Sequence, residues 1–169
     1  MAIEKQEYSD FPMKLLGTET LYVSAGENGR PYVFDAIGEL DSTGKTVVIT
    51  DSYLFDPAGD ATYPDFVRDV LLALNAKKII YTSYAGKGHS AVRNAVIPIV
   101  QAQGCTIEYR PAEIHHRYWF CLESNKAIDM PSINSIGKRS SSITIVDDVD
   151  KKDLKADLIA QGVIGNDEQ

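Results

Sequence analysis

The sequence predicts an α/β domain in which a mixed β-sheet is flanked by helices. Residues 47–50 are a continuous apolar run, as expected for a strand that is buried on both faces. Residues 62–75 then place apolar side chains at helical spacing, and residues 78–84 form a second apolar and aromatic run. A strand, a helix and a strand in this order predict a parallel pair of strands with a right-handed crossover.

Further elements extend this unit towards the C-terminus. Residues 91–103 predict a second helix, which Gly104 should end. Residues 105–110 predict the third strand of the series. Residues 142–146 alternate as in a last strand, and residues 151–160 place leucine and isoleucine on one face of a terminal helix.

The N-terminal part predicts a β-hairpin without obvious chemical residues. Residues 1–12 predict a loose arm, and residues 14–23 alternate weakly, as in a first strand. A turn rich in glycine and asparagine follows at residues 26–31, and residues 32–37 predict the return strand. We expect this hairpin to extend the sheet or to form the edge of a dimer.

Length and composition predict a single domain over residues 1–169, with residues 162–169 as a tail. The chain is 44% hydrophobic and 24% charged, which is ordinary for a globular protein. It has no run of eighteen or more apolar residues and no signal-peptide pattern, so no transmembrane segment is expected. Cys105 and Cys121 lie in β-type sequence and predict buried thiols rather than a bridge, which favours a cytoplasmic protein.

The charge of the chain limits the partners that it can bind. A net charge of −7 argues against a surface that grips long duplex DNA. A local basic pocket from Arg110, Arg117, Lys138 and Arg139 would instead favour a small phosphate-bearing ligand, or nucleic acid held locally. No Cys or His cluster has the spacing of a metal site, so no metal or other cofactor is expected.

A polar centre interrupts an aromatic and β-branched segment at residues 113–120. The segment is typical of a strand, with His115, His116 and Arg117 in its middle. Because side chains alternate along a strand, His115 and Arg117 would share one face and His116 would lie on the other. An imidazole would then lie beside a guanidinium, and which of the two histidines faces a pocket stays open.

A second polar segment follows at residues 131–139. It contains a hydroxyl, an amide and two cations, at Ser132, Asn134, Lys138 and Arg139. Arginine binds oxyanions through paired hydrogen bonds, and serine and asparagine supply neutral donors, so the two segments together could bind a phosphate. The alternative is that one histidine packs beneath the sheet and that the cations are solvated.

Two other stretches are candidate sites. Asp51 and Ser52 follow a buried strand, where ligand crevices form in open α/β sheets, although capping of a turn is the alternative. Residues 86–90 place a lysine and a histidine between glycines before a helix, as in an anion site. The alternative for that loop is a solvated turn with Ser90 as the helix cap.

The two polar segments together resemble the phospholipase D superfamily. The motif of that superfamily is His-x-Lys, an aspartate a few residues later, and Gly-Ser-x-Asn after the next strand turn. One branch, which includes the C-terminal domain of MIT-domain proteins, writes it as Ile-His-Asp-Arg-Tyr followed by Ser-x-Asn-x-x-Gly-Lys-Arg. The corresponding positions here are His115, Arg117, Ser132, Asn134, Gly137, Lys138 and Arg139.

Three positions depart from the superfamily pattern. Arg117 keeps the charge of the lysine but has a larger head group. Leu122 stands where the aspartate would fall, and Pro131 stands where the family has glycine. The resemblance covers residues 45–146 in layout and implies a phospholipase-D-like fold, a mixed sheet flanked by helices.

The resemblance implies a phosphodiesterase, possibly a nuclease, that works without metal as a homodimer. His115 would be the nucleophile and acid, while Arg117, Ser132 and Asn134 would hold the phosphate together with Lys138 and Arg139. The alternative is a non-catalytic phosphate-binding and dimerisation module of the same fold. Leu122 favours the module, and the intact His115, Arg117 and Asn134 favour the enzyme.

Overall fold

The computed structural model describes residues 20–84, 86 and 88–168, and this part of the chain forms one mixed seven-stranded sheet with four helices. The strands are β1 (Thr20–Val23), β2 (Thr46–Ile49), β3 (Lys78–Tyr81), β4 (Thr106–Tyr109), β5 (Tyr118–Cys121), β6 (Lys126–Asp129) and β7 (Ser141–Ile145). The helices are α1 (Arg30–Gly38), α2 (Tyr63–Ala73), α3 (His89–Ala102) and α4 (Asp148–Ala160). The predicted α/β class is confirmed.

The strands lie in the order β1-β7-β6-β5-β2-β3-β4. Strands β2, β3 and β4 are parallel, and every other neighbouring pair is antiparallel. The predicted strand–helix–strand unit is therefore confirmed as β2, α2 and β3. Strand β2 lies near the centre of the sheet, with Val48 opposite Ile80 on one side and Phe120 on the other.

Hydrophobic cores lie on both faces of the sheet. Val47 and Ile49 of β2 pack in the larger core with α1, α2 and α3, whereas Val48 belongs to the smaller core under α4. All four residues of β2 are buried. Burial on both faces explains why this strand is a continuous apolar run rather than an alternating one.

The predicted N-terminal hairpin is wrong. Residues 32–37 lie in α1 and not in a strand. Strand β1 lies at one edge of the sheet and pairs with β7, which is distant in the sequence. The side chains of Val33, Ala36 and Ile37 share one face of the helix and are all buried in the core. The strand predicted over residues 14–23 is confirmed at residues 20–23, while its residues 14–19 and the predicted arm at residues 1–12 lie outside the described residues.

The antiparallel pair β5–β6 is a second departure, because the sequence predicted no strand at residues 126–129. A turn joins the two strands, and Asn125 in this turn adopts a positive φ of 54°. Asparagine tolerates this left-handed conformation better than most residues. The sequence therefore held one local signal for this hairpin, the asparagine in the turn, which the prediction missed.

The observed starts of α3 and α4 differ from those that the sequence predicted. Helix α3 begins at His89 with Gly88 as its N-cap at a φ of 86°, so Ser90 is not the cap. Helix α4 begins at Asp148, three residues before the predicted start, because the Asp147 carboxylate accepts a hydrogen bond from the Asp150 amide at 2.8 Å.

Arg110 anchors the C-terminal segment and takes no part in a phosphate pocket. Its guanidinium donates to the Val163 carbonyl at 2.7 Å and to the Glu168 carboxylate at 2.8 Å, and it also pairs with Glu108. The hydrogen bonds from Arg110 lower the pKa of Glu168 to about 2. The expectation that Arg110 belongs to a basic pocket is therefore wrong, and residues 162–168 pack against the domain.

Both cysteines are free and buried, as the sequence predicted. None of the helices in the described ranges has the length and apolar character needed to cross a membrane.

Candidate functional site

Asp51 is a fully buried carboxyl group at the end of β2. It accepts hydrogen bonds from the Ser132 hydroxyl at 2.9 Å, from the Tyr53 amide at 3.0 Å and from the Ile133 amide at 3.3 Å. Burial raises the pKa of Asp51, while these hydrogen bonds and the positive charge of Arg117 act in the opposite direction. Asp51 therefore ties the loop after β6 to the carboxyl end of the central strand.

Ser132, which the sequence predicts as a phosphate donor, is buried against Asp51. Its carbonyl accepts from the Ser135 amide and hydroxyl, both at 2.9 Å, so it lies at the start of a tight turn. In this structure the Ser132 hydroxyl donates inward to the carboxylate.

The predicted strand over residues 113–120 is only half correct, because β5 begins at Tyr118 and residues 113–117 form a loop. The Thr50 hydroxyl accepts from the Tyr118 amide and donates to the His116 carbonyl, both at 2.8 Å. The Thr50 side chain thus makes the hydrogen bonds that backbone groups of β2 would make if β5 began earlier in the chain.

His115 and His116 are both exposed in this loop. The expected alternation, with His115 and Arg117 on one face of a strand and His116 on the other, does not apply, because these residues lie in a loop. The ring of His116 lies 5.8 Å from that of Tyr118, while the described residues offer the His115 side chain no hydrogen bond or ion pair. His115 is therefore accessible, but the described part of a single chain supplies no group that orients it.

Arg117 lies half-buried beside Asp51. Its guanidinium carbon is 5.7 Å above the ring of Tyr53, and its charge acts on the carboxyls of Asp51 and Asp129. Burial raises the pKa of Asp129, and the positive charges of His116 and Arg117 oppose that rise. Within the described ranges the guanidinium makes no hydrogen bond or ion pair, so its donors are available to a ligand.

Asn134 and Lys138 lie together on a different feature, a cavity of about 300 Å³. The Asn134 amide nitrogen donates to the Asp56 carbonyl at 3.3 Å. Lys138 is exposed at the cavity wall, and Arg139 is exposed but does not line it. The predicted site residues thus fall into two groups, with Arg117 and Ser132 around Asp51 and Asn134 and Lys138 around the cavity.

Gly137 has a structural reason to be glycine. Its φ is 80°, its carbonyl accepts from the Gly26 amide at 2.8 Å, and a Cβ atom would collide with the Glu27 carbonyl oxygen. The loop over residues 26–29 therefore packs backbone to backbone against the loop that follows Ser132.

Leu122, at the position of the superfamily aspartate, is buried in the core under α4. The buried carboxyl near Arg117 comes instead from Asp51, on another strand. Asp51 stood out in the sequence because it directly follows a buried apolar run. Ser52, the other residue of that pair, contributes its carbonyl, which accepts from the amide of Tyr84 and the hydroxyl of Ser83.

A buried histidine lies at the same edge of the sheet and was flagged only as part of a loop. His89 is 3% exposed, and its Nε2 atom is 3.6 Å from an oxygen of Asp56. Its ring packs edge-on against Tyr84 at 5.8 Å. The sequence could not supply this pair, because Asp56 lies in the loop after β2 and His89 begins α3, and the two meet only in the folded chain.

No protein-family model matches the chain, and no curated protein matches it. In the described part of the chain, no group of three or more His, Cys, Asp and Glu side chains is placed to hold a metal ion.

Proposed function

We propose that the protein is a phospholipase-D-like domain that binds a phosphate group at the loop before β5. The observation that carries the proposal is the half-buried guanidinium of Arg117, which has no hydrogen-bond partner among the described residues. A partly desolvated cation without a partner is unfavourable, and a phosphate offers the oxygen pairs that a guanidinium binds bidentately.

The surroundings of Arg117 support an anion at this place. Packing on Tyr53 restricts the guanidinium and so reduces the entropy lost when it binds. The exposed imidazoles of His115 and His116 lie on the same short loop and supply further donors. The carboxyl groups of Asp51 and Asp129 are close to Arg117. Asp51 is buried and already accepts hydrogen bonds from three donors of the protein.

We further propose that two copies of the chain associate. The superfamily that the motif resembles places two such motifs around one phosphodiester, and this chain carries one. A twofold axis near the loop over residues 113–117 would bring two copies of the motif together. Both histidines of this loop are exposed and therefore accessible to a second copy.

A metal-independent phosphodiesterase is the second candidate, and the pattern of His115, Arg117 and Asn134 favours it. One His115 nitrogen would attack phosphorus as the bond to the leaving oxygen breaks, and the second copy's His115 would protonate that oxygen. Water would then hydrolyse the phosphohistidine. Catalysis requires an oriented imidazole, and the described part of one chain holds His115 with no such contact, so the geometry favours binding over turnover.

Arg117→Ala is expected to weaken the binding of a phosphate probe by about tenfold to a hundredfold, because one charge-assisted contact is worth roughly 1.5–3 kcal/mol. Calorimetric titration with pyrophosphate at low salt measures the change. Arg68→Ala is the matched control, since it removes the same charge from a surface ion pair with Asp65 on α2. Equal affinities of the wild type and Arg117→Ala would remove Arg117 from the site.

Incubation with single- and double-stranded DNA, RNA and a chromogenic phosphodiester in the presence of EDTA separates the two candidates. We expect binding of the phosphodiester without turnover, as for a binding module. Turnover that disappears in His115→Ala and persists in His116→Ala would establish the phosphodiesterase instead. Gel filtration at several concentrations tests association, and a strict monomer would contradict the dimer.

A further inference from the structure

A polar cavity of about 300 Å³ lies among three loops, apart from the loop before β5. Its walls are the loop before α1, the loop before α2 and the loop that follows Ser132. The polar residues that line it are Glu27, Asn28, Arg30, Asp60, Thr62, Asn134 and Lys138. Neither His115 nor Arg117 is among its lining residues, so this cavity is separate from the loop before β5.

Two cations line the cavity in different states. Arg30 is held in place by Asp60 at 2.8 Å and Thr62 at 2.9 Å, with its guanidinium carbon 4.6 Å above the ring of Phe66. Lys138 is exposed, and the described residues provide its ammonium group with no ion pair. It lies close enough to contribute, after Thr62 and Arg30, to the lowered pKa of Asp60. The cavity therefore has one cation that is fixed by an ion pair and one exposed cation that has no ion pair among the described residues.

The two carboxylates of the cavity already accept from the protein's own donors. Asp60 accepts from the amide and hydroxyl of Thr62 at 2.8 and 2.7 Å, as well as from Arg30. Glu27 accepts from the Tyr32 hydroxyl at 2.6 Å and from the Ser24 amide at 3.0 Å. The Asp60 charge is paired with Arg30, and the Glu27 carboxylate is held by neutral donors, so among the described residues Lys138 is the cation of the cavity without an ion pair.

The starts of two helices add to the positive potential of the cavity. Gly29 is the N-cap of α1 and Thr62 is the N-cap of α2, and both line the cavity. Neither N-cap residue caps its helix with its own side chain, while the Arg30 amide donates to the Asn28 side chain at 3.3 Å and the Thr62 amide to Asp60 at 2.8 Å. Helix N-termini favour negative charge through their dipoles.

We propose that this cavity binds a small, hydroxyl-bearing phosphate monoester of the size of a sugar phosphate. Lys138 and Arg30 face the phosphate, while the carboxylate oxygens and the Asn134 amide oxygen accept from the hydroxyl groups of the ligand. A volume of about 300 Å³ lies at the small end of ligand pockets, which suits one such molecule and excludes a polymer. This inference does not rest on the proposed function.

Titration with glucose 6-phosphate, inorganic phosphate and glucose tests the proposal, with amide chemical shifts of the full chain as the readout. We expect glucose 6-phosphate to bind more tightly than either other probe and to shift the amides of Gly29 and Thr62. Lys138→Ala should weaken its binding by at least about tenfold. Arg139→Ala, next in the chain but outside the cavity, should change it by less than about twofold.

Four results would overturn the inference. The first is an equal loss in Lys138→Ala and Arg139→Ala, which would indicate diffuse attraction to positive charge. The second is equal affinity for phosphate and glucose 6-phosphate, which would show that the site takes free phosphate alone. The third is the absence of shifts at Gly29 and Thr62 with any probe. A loss confined to Arg117→Ala would place the ligand at the loop before β5 instead.

Discussion

Gly137→Ala is expected to destabilise the protein by about 2–5 kcal/mol, the largest effect of any single substitution considered. The left-handed backbone conformation is unfavourable for alanine by about 1–2 kcal/mol, and forcing an extra methyl group into a packed contact adds about 1–3 kcal/mol. The contact at Gly137 is with backbone, since its Cβ would meet the Glu27 carbonyl and lie 3.0 Å from the Gly29 amide nitrogen. Backbone atoms cannot rotate out of the way as a side chain can.

Gly162→Ala is the matched control for this prediction. Gly162 has a φ of 71°, close to that of Gly137, but a Cβ there would have no atom within 4 Å. Gly162→Ala should therefore destabilise the protein only by the cost of the left-handed backbone conformation, roughly 1–2 kcal/mol. Urea unfolding of the two variants measures the difference, and equal losses would show that the two loops do not pack as described.

Asp51→Ala is expected to destabilise the protein by about 2–4 kcal/mol. The Ser132 hydroxyl and the amides of Tyr53 and Ile133 would lose their shared acceptor inside the protein. Each buried donor without a partner costs about 1–3 kcal/mol, and relief of the desolvation of the carboxyl offsets part of that loss. Chemical unfolding at pH 7 measures the effect, and a loss below about 0.5 kcal/mol would contradict the assigned hydrogen bonds.

A comparison of the wild type with Asp51→Asn isolates the effect of the Asp51 charge on stability. Burial raises the pKa of Asp51 above its ordinary value of 3.8, so the folded protein holds the proton more tightly than the unfolded chain. The protonated carboxyl contributes its full stabilisation at a pH below the pKa that Asp51 has in the unfolded chain. This stabilisation is lost as the pH rises through the pKa of Asp51 in the folded protein.

The stability of the wild type relative to Asp51→Asn should therefore fall as the pH rises above 3.8, the ordinary pKa of the carboxyl, and through its raised pKa in the folded protein. Because the two proteins share every other titrating group, the difference reports on Asp51. A difference that stays constant, or that grows with pH, would show that the carboxyl is not desolvated.

Local patterns were sufficient for much of the central sheet. The apolar run of β2 and the helical spacing of Phe66, Val67 and Val70 predicted strand β2 and helix α2, because burial on two faces and burial on one face leave different periodicities. The same kind of pattern predicted a strand where α1 lies. The preference of aromatic and β-branched residues for strands depends on context, and packing against the core decides between helix and strand.

The candidate site was predictable as a set of residues but not as an arrangement. The motif brought out Arg117, Ser132, Asn134 and Lys138, and the position of Asp51 at a strand end marked it as a candidate. That Ser132 donates to Asp51, while Lys138 lines a separate cavity, follows from contacts between residues far apart in the chain.

The sequence by itself determined the α/β class, the parallel order of β2 and β3, the buried cysteines and the chemical types available for binding an anion. These properties depend on which side chains are apolar and how they are spaced along a short stretch. Only the tertiary structure decided that residues 113–117 form a loop and that the cations fall into two separate places. Such features depend on the partners that backbone and charged groups find across the fold, and those partners come from distant parts of the chain.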